Sequence, residues 1–168
     1  MLAGGEHLVT ITIEIYIHAP IELCFDLARD IGVHTRTVWK HTREEAVAGV
    51  TSGPIGEGET VTFRATHLGV RQHLTSRISA YKRPVYFVDE MVQGAFRSLR
   101  HEHHFARRGE GTLMRDVLVF EAPLGLLGRI AEALVLRWYM KKFLEHRNLR
   151  LKELAEEKAS ATSIPPRP

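Results

Sequence analysis

From Leu8 to Ile17 apolar and polar side chains alternate without interruption. Val9, Ile11, Ile13, Ile15 and Ile17 fall on one face; Thr10, Thr12, Glu14 and Tyr16 fall on the other. A period of two over this length predicts a β-strand with one buried face. His18-Ala19-Pro20 closes it, and Pro20 suits the first turn of a helix, where its missing N–H would be unpaired anyway. Glu22 then lies near that helix's positive end. Leu23, Cys24, Leu27 and Ala28 form an apolar face through Arg29, and a second short helical or irregular piece covers 31–39.

Strand patterns then return. They are predicted over 43–51, 59–67, 70–81, 85–92, 95–106 and 112–121, separated by breaks rich in glycine, proline and charge. Gly111 allows the sharp end of the last hairpin. Pro123 stops the last strand by removing a donor, and Gly125 lets the chain change direction into the helix. The glycines of 53–58 lack the Gly-Lys-Ser/Thr of a phosphate loop, and no dinucleotide-binding spacing is present.

Beyond Pro123 the pattern changes period. Strong helix formers dominate from Leu126 to Glu157, which predicts one helix roughly 45–50 Å long. Leu127, Ile130, Ala131, Leu134 and Trp138 make one apolar stripe. Leu136, Met140, Phe143, Leu144, Leu151 and Leu154 make another, nearly opposite. A helix apolar all round calls for burial all round. Its middle is expected between a sheet on one side and a loop, partner subunit or ligand on the other.

Strand, two short helices, about six antiparallel strands and a long helix contain no βαβ repeat, which argues against a parallel sheet. The predicted class is α+β: a curved antiparallel sheet of about seven strands wrapped around the long C-terminal helix, with two short helices after the first strand. One domain is expected over 8–157 and a disordered tail over 158–168, which is rich in Ser, Thr and Pro. A strongly curved sheet need not touch its helix everywhere, and the space between is where a small ligand would go.

Composition narrows the partners. The chain has 168 residues, 44% apolar and 26% charged, as in an ordinary globular domain. No apolar run approaches the ~20 residues of a membrane span, so stable membrane insertion is not expected. The net charge of +3 is spread over isolated basic pairs without a contiguous stripe, so nucleic acid is not an expected partner. Cys24 is the only cysteine, which excludes an internal disulfide and makes a cytoplasmic location the expectation. The apolar surplus around Leu136, Tyr139 and Met140 makes a homodimer a candidate assembly.

The segments Phe87-Val88-Asp89-Glu90, Gly94-Ala95-Phe96, His101-Glu102-His103-His104-Phe105, Gly111-Thr112-Leu113-Met114-Arg115-Asp116 and Pro123-Leu124-Gly125-Leu126-Leu127-Gly128 belong together. With His18-Ala19-Pro20-Ile21-Glu22 and Arg147-Asn148-Leu149-Arg150-Leu151-Lys152, they resemble the polyketide cyclase/dehydrase-like branch of the START and birch-pollen-allergen-like superfamily. The resemblance covers roughly 8–155. It implies the helix-grip fold and the binding of a hydrophobic small molecule or lipid; some relatives are cyclases or aromatase-like enzymes.

Strand alternation also selects a polar group. His101 and His103 share a face with Leu99 and Phe105, and Asp116 shares one with Met114, Leu118 and Phe120. These faces should turn toward the helix, with Asp89 joining from the face of Phe87 and Met91. Three roles stand for His101 and Asp116: a structural pair joining two strands, a polar anchor for a ligand, or a general acid and base. Phe63, Phe87, Met91, Met114, Leu118, Phe120, Leu134 and Trp138 are the expected apolar lining, with Trp39 and Tyr139 near the mouth. His67 and His73 flank a turn and are expected in solvent. No metal or other cofactor is expected, because His101 and His103 would need a third convergent ligand and no His-Glu-x-x-His helix exists. Nucleophilic catalysis has no support: Cys24 lies in an apolar pattern and there is no Gly-x-Ser-x-Gly elbow. The function expected is binding of a small hydrophobic or amphipathic molecule. A cyclase- or dehydratase-type enzyme and a ligand-free interaction module are the alternatives.

Overall fold

The computed structural model of the chain describes residues 8–122 and 129–162. Its elements are β1 (Val9–Ile17), α1 (Ile21–Ala28), α2 (Ile31–Thr37), a 3-10 turn (Lys40–Thr42), β2 (Glu45–Gly49), β3 (Thr60–His67), β4 (Val70–Lys82), β5 (Tyr86–Gln93), β6 (Ser98–Arg108), β7 (Gly111–Glu121) and α3 (Arg129–Thr162). All seven strands form one antiparallel sheet in the order β1-β7-β6-β5-β4-β3-β2. Hairpins build it in chain order from β2 to β7. The one distant pairing brings β1 back beside β7, with Val9 opposite Phe120 and Ile17 opposite Thr112. This is the helix-grip arrangement.

Gly111 serves that distant pairing. The positive φ of the last hairpin belongs to Gly109, at 58°. At Gly111 an added Cβ would lie 2.4 Å from the Ile17 carbonyl oxygen. Its missing side chain lets β1 close on β7, a different reason from the turn geometry expected.

Pro20 stands just before α1 and its carbonyl accepts from Cys24 N–H. Asp30 caps α2 by accepting from Val33 N–H at 2.9 Å. The loop after β2 pins this junction, since Ile31 N–H donates to Gly53 O and Ile55 N–H donates to Arg29 O. Cys24 is fully buried, as its apolar pattern requires.

α3 turns one stripe inward. Phe143, Leu144, Leu151 and Ala155 are buried, with Leu136, Met140 and Leu154 half-buried. The opposite stripe is not covered: Leu134 is 65% exposed, Val135 53% and Trp138 64%. Of the covers expected for it, a loop of the chain's own described residues is not what lies there. The connections from β3 to β7 are short hairpin turns, so no described segment can cross the outer face. Leu127, together with the side chains of Ile130 and Ala131, lies outside the described residues, as do Pro123 and Gly125. The helix also runs on through Thr162 instead of stopping near 157. Ala159 accounts for the extension by packing against the core. The rest of the expected tail, 163–168, lies outside the described residues.

The core has two parts. One gathers Phe25, Ile17, Met114 and Leu151 around α1; the other gathers Ile11, Leu99, Phe120 and Leu144. α3 packs chiefly on β1, α1 and α2. The middle strands are thereby held off the helix, and a space remains between the two parts.

Candidate functional site

That space is a cavity of about 430 Å³. Its walls are mainly apolar: Val61, Phe63 and Ala65 from β3, Phe87 from β5, Leu99 from β6 and Leu118 from β7. Leu136, Tyr139, Met140 and Phe143 close it from α3. Leu68 and Val70 also line it and are 56% and 61% exposed, so the cavity opens at the β3–β4 turn. The size suits a small organic molecule.

One wall is polar. Asp89, His101, His103 and Arg147 line it, and Asp116 stands directly behind with no exposure. Strand register explains the grouping. Asp89 is opposite His101, His103 is opposite Asp116, and alternation points all four toward α3. His103 donates from Nδ1 to Asp116 Oδ1 at 2.8 Å and from Nε2 to Asp89 Oδ2 at 3.1 Å. Only the imidazolium has two N–H groups to give. Burial pushes the His103 pKa down, but the Asp116 charge and the hydrogen bonds to both carboxylates overcome this and hold it above its ordinary value. Burial raises Asp116, but the charge of His103, its hydrogen bond and the nearby His101 take it well below the usual carboxylate range. His101 goes the other way: burial and then the neighbouring His103 charge lower it.

The wall contains more polar groups than its own bonds satisfy. His101 Nε2, Asp116 Oδ2, Arg147 Nε and Nη1, and both amide atoms of Asn148 are buried without a hydrogen-bond partner. His101 Nε2 and Arg147 Nη1 each stop 3.7 Å from Asp116 Oδ2. Arg147 is tied at Nη2, which donates to Ala28 O at 3.2 Å. Buried polar atoms are normally paired. Of these residues, His101 and Arg147 line the cavity, and the unpartnered N–H groups of Arg147 can serve a ligand's oxygen atoms there.

Of the residues expected at the site, Phe63, Phe87, Asp89, His101, His103 and Leu118 line the cavity. Asp116 belongs to the network from behind the wall. Its close partner is His103; His101 sits opposite Leu118, two pairs along the ladder. Met114 and Phe120 are fully buried as core packing and do not line the cavity, and Met91 packs against the second core cluster. Leu134 and Trp138 are displaced furthest from expectation. They sit on the outer face of α3, because the inward stripe is the one through Phe143 and Leu144. Tyr139 lines the cavity, and Trp39 packs edge-on against it with ring centres 5.3 Å apart.

Sequence reasoning missed two parts. Arg147 and Asn148 continue the inward stripe three and four residues after Leu144, and that spacing could have revealed them. The second is a polar cluster of His34, Glu44, His67 and Tyr139, all lining the cavity. His34 Nε2 is 2.7 Å from Glu44 Oε1, His67 Nε2 is 3.8 Å from Glu44 Oε2, and His67 Nδ1 is 2.9 Å from the Tyr139 hydroxyl. Burial raises the Glu44 carboxyl, but the hydrogen bond with His34 and the proximity of both His34 and His67 outweigh this and bring it to about 2. His67 is therefore engaged at the cavity instead of facing solvent. These residues come from α2, the segment before β2, β3 and α3, so no local spacing signals them. His73 is exposed, as expected, at the edge of the opening.

An antiparallel sheet gripping one long helix, with an apolar cavity between them and a polar group at its wall, is the ligand-binding architecture of the START and birch-pollen-allergen-like superfamily. Within it the sequence matches the family described as polyketide cyclase / dehydrase and lipid transport over residues 9–156, and the chain belongs to that family. Among curated proteins, none matches the sequence. Solved structures share the fold at low identity. The protein TTHA0849 from Thermus thermophilus is 20% identical with a TM-score of 0.70, over 93% of this chain and 100% of that one. A START superfamily protein from Mycobacterium smegmatis is 16% identical with a TM-score of 0.66, over 90% and 99%. The di-domain ARO/CYC protein StfQ of the steffimycin biosynthetic pathway is 13% identical with a TM-score of 0.67, over 93% of this chain and 52% of that one. Among the described residues, no helix is long and apolar enough to cross a membrane.

Proposed function

We propose that this chain binds a small hydrophobic or amphipathic molecule, lipid-like or polyketide-like, between sheet and α3. The observation that carries the reading is the union of an apolar cavity with unpartnered buried polar atoms at one wall. The apolar body of the ligand lies against Phe63, Phe87 and Leu118. An oxygen-bearing end meets His101, Asp89 and Arg147. Apolar walls discriminate weakly among molecules of similar size, so the polar end sets orientation. Native mass spectrometry of gently purified protein, together with titration of 8-anilinonaphthalene-1-sulfonate, tests this. Ala65→Phe, which fills the cavity from β3, should abolish dye binding while the protein stays folded. Undiminished dye binding in that variant would remove the cavity from the account.

A second reading has its own observation. His101 is held toward the neutral imidazole at the cavity wall, with Asp116 aligned behind Nε2. A neutral imidazole can take a proton from a bound carbonyl compound, which is the acid–base step of a cyclase or dehydratase. His101→Ala separates the two: turnover lost with binding kept supports the enzyme, while binding lost supports the anchor. An interaction module without ligand fits poorly, since packed interiors rarely leave voids much larger than a water.

The case for a homodimer moves to other residues. Leu136, Tyr139 and Met140 face the cavity, so a second copy would have to cover Leu134, Val135 and Trp138. Equilibrium sedimentation at the monomer mass up to high concentration would dispose of it. A cytoplasmic location belongs to the same reading, resting on the single buried cysteine; cell fractionation checks it.

A further inference from the structure

The polar wall has an internal order that recognition of an organic ligand does not require. Asp116 stands behind both imidazoles and faces their far nitrogens: it accepts from His103 Nδ1 at 2.8 Å through Oδ1, and His101 Nε2 is 3.7 Å from Oδ2. The near nitrogens, His103 Nε2 and His101 Nδ1, then both turn to Asp89, 3.1 and 3.8 Å from its Oδ2. One ligand atom from each of Asp89, His101 and His103 lies within 4.8 Å of the others. A metal ion about 2.0–2.2 Å from nitrogen and oxygen ligands needs those atoms roughly 3–3.5 Å apart. The His103–Asp89 spacing of 3.1 Å already meets that value and the His101–Asp89 spacing of 3.8 Å lies just above it, so side-chain rotation, chiefly of His101, would close the site.

From this geometry we propose that Asp89, His101 and His103 form a binding site for a divalent first-row transition-metal ion, zinc or cobalt in type, with Asp116 as the outer carboxylate orienting both imidazoles. Two imidazoles and one carboxylate favour such ions over calcium or magnesium, which take oxygen ligands. Histidine ligands commonly pass their second N–H to a carboxylate, and Asp116 is placed for that with both rings. On the far side, His101 Nε2 and Asp116 Oδ2 are buried, face each other and make no hydrogen bond, so a small rotation of the His101 ring toward the ion can also bring this pair together. In the ordinary state His103 bridges Asp89 and Asp116 through two protons. On binding, the ion takes the place of the proton between His103 Nε2 and Asp89, and that proton leaves to solvent. Arg147 is the cation facing the group; Asp116 matches its charge and leaves Asp89 for the ion. All three ligands sit on the adjacent strands β5 and β6, where the ladder holds their spacing. Zinc is not expected from sequence for want of a third convergent ligand, and the cross-strand register supplies one in Asp89. Because Asp89, His101 and His103 all line the cavity, the remaining coordination position opens into it.

The site goes beyond the ligand-binding reading and is tested separately. The full chain, stripped with a chelator, is titrated with Co²⁺ in a non-coordinating buffer and followed by visible absorption and calorimetry. One ion per chain should bind with d–d bands, and Zn²⁺ should erase them. Asp89→Asn and His101→Ala should each weaken binding tenfold or more, and Asp116→Asn about 10–100-fold. Circular dichroism checks the fold of each variant. Paramagnetic broadening in the unaltered protein locates the ion without any variant, and it should centre on β5 and β6. Binding weaker than about 1 mM, broadening centred elsewhere, or unchanged affinity in folded Asp89→Asn would overturn the site. Binding of 8-anilinonaphthalene-1-sulfonate to the metal-free protein reads the cavity on its own. Dye binding without metal uptake would sink the metal site alone, while metal uptake without dye binding would keep it and sink the cavity reading.

Discussion

Asp116 is the residue on which the polar wall depends. It is fully buried, accepts from His103 and lies 3.7 Å from both His101 and Arg147. Removing one member of a buried charged network leaves the others uncompensated, which costs about 3–5 kcal/mol. Asp116→Asn should therefore lower stability by about 3 kcal/mol in urea unfolding, and a change under about 0.5 kcal/mol would contradict the role given to it. Glu44 makes a pH prediction in the second cluster. The groups facing it are His34 from α2, His67 from β3 and Tyr139 from α3. Its folded pKa of about 2 lies below its ordinary value of 4.5. Its contribution is thus present above about pH 4.5 and disappears as the pH falls toward 2. Glu44→Gln should be less stable by about 2–3 kcal/mol at pH 7, and the gap should narrow across that acid window. A gap independent of pH would refute the assignment. Part of this scale was legible in the sequence. Alternation set His101, His103 and Asp116 on inward faces, but pairing depends on register. A shift of two residues between neighbouring strands changes which histidine meets the acid. The Glu44 cluster, assembled from four separate segments, left no trace.

Among the elements, α3 tests the account best, because its two apolar stripes look equivalent in sequence and are not in the fold. Leu151 is 1% exposed and Trp138 is 64% exposed. Leu151→Ala should cost about 2–5 kcal/mol through transfer and cavity terms. Trp138→Ala should change stability by no more than about 0.5 kcal/mol. A large loss at Trp138 in dilute monomer would mean the outer stripe is covered. Gly111→Ala is the matching test on the sheet, since its Cβ would press on the Ile17 carbonyl at 2.4 Å. That contact should loosen β1 from β7, seen as faster hydrogen exchange along Val9–Ile17, and unchanged protection there would argue against it. Strand number, antiparallel order and the long helix could all be read from hydrophobic period and turn residues. Which stripe of the helix turns inward could not. That choice comes from α1, α2 and β1, where α3 rests.

For the whole molecule, the cavity follows from where α3 is supported. It leans on β1 and the short helices at one side of the sheet and leaves the middle strands facing open space. A curved sheet around a helix could be anticipated, and with it the chance of such a space. Its volume and contents could not, since they depend on which side chains stop short of filling it. The central claim is that this space, and not the outer stripe of α3, receives an apolar ligand. Methyl-labelled NMR during titration with 8-anilinonaphthalene-1-sulfonate measures it directly. The account predicts saturation at one dye per chain, with shifts at Val61, Leu99 and Leu118, which line the cavity. Shifts confined to Leu134 and Val135, on the exposed face, would contradict it.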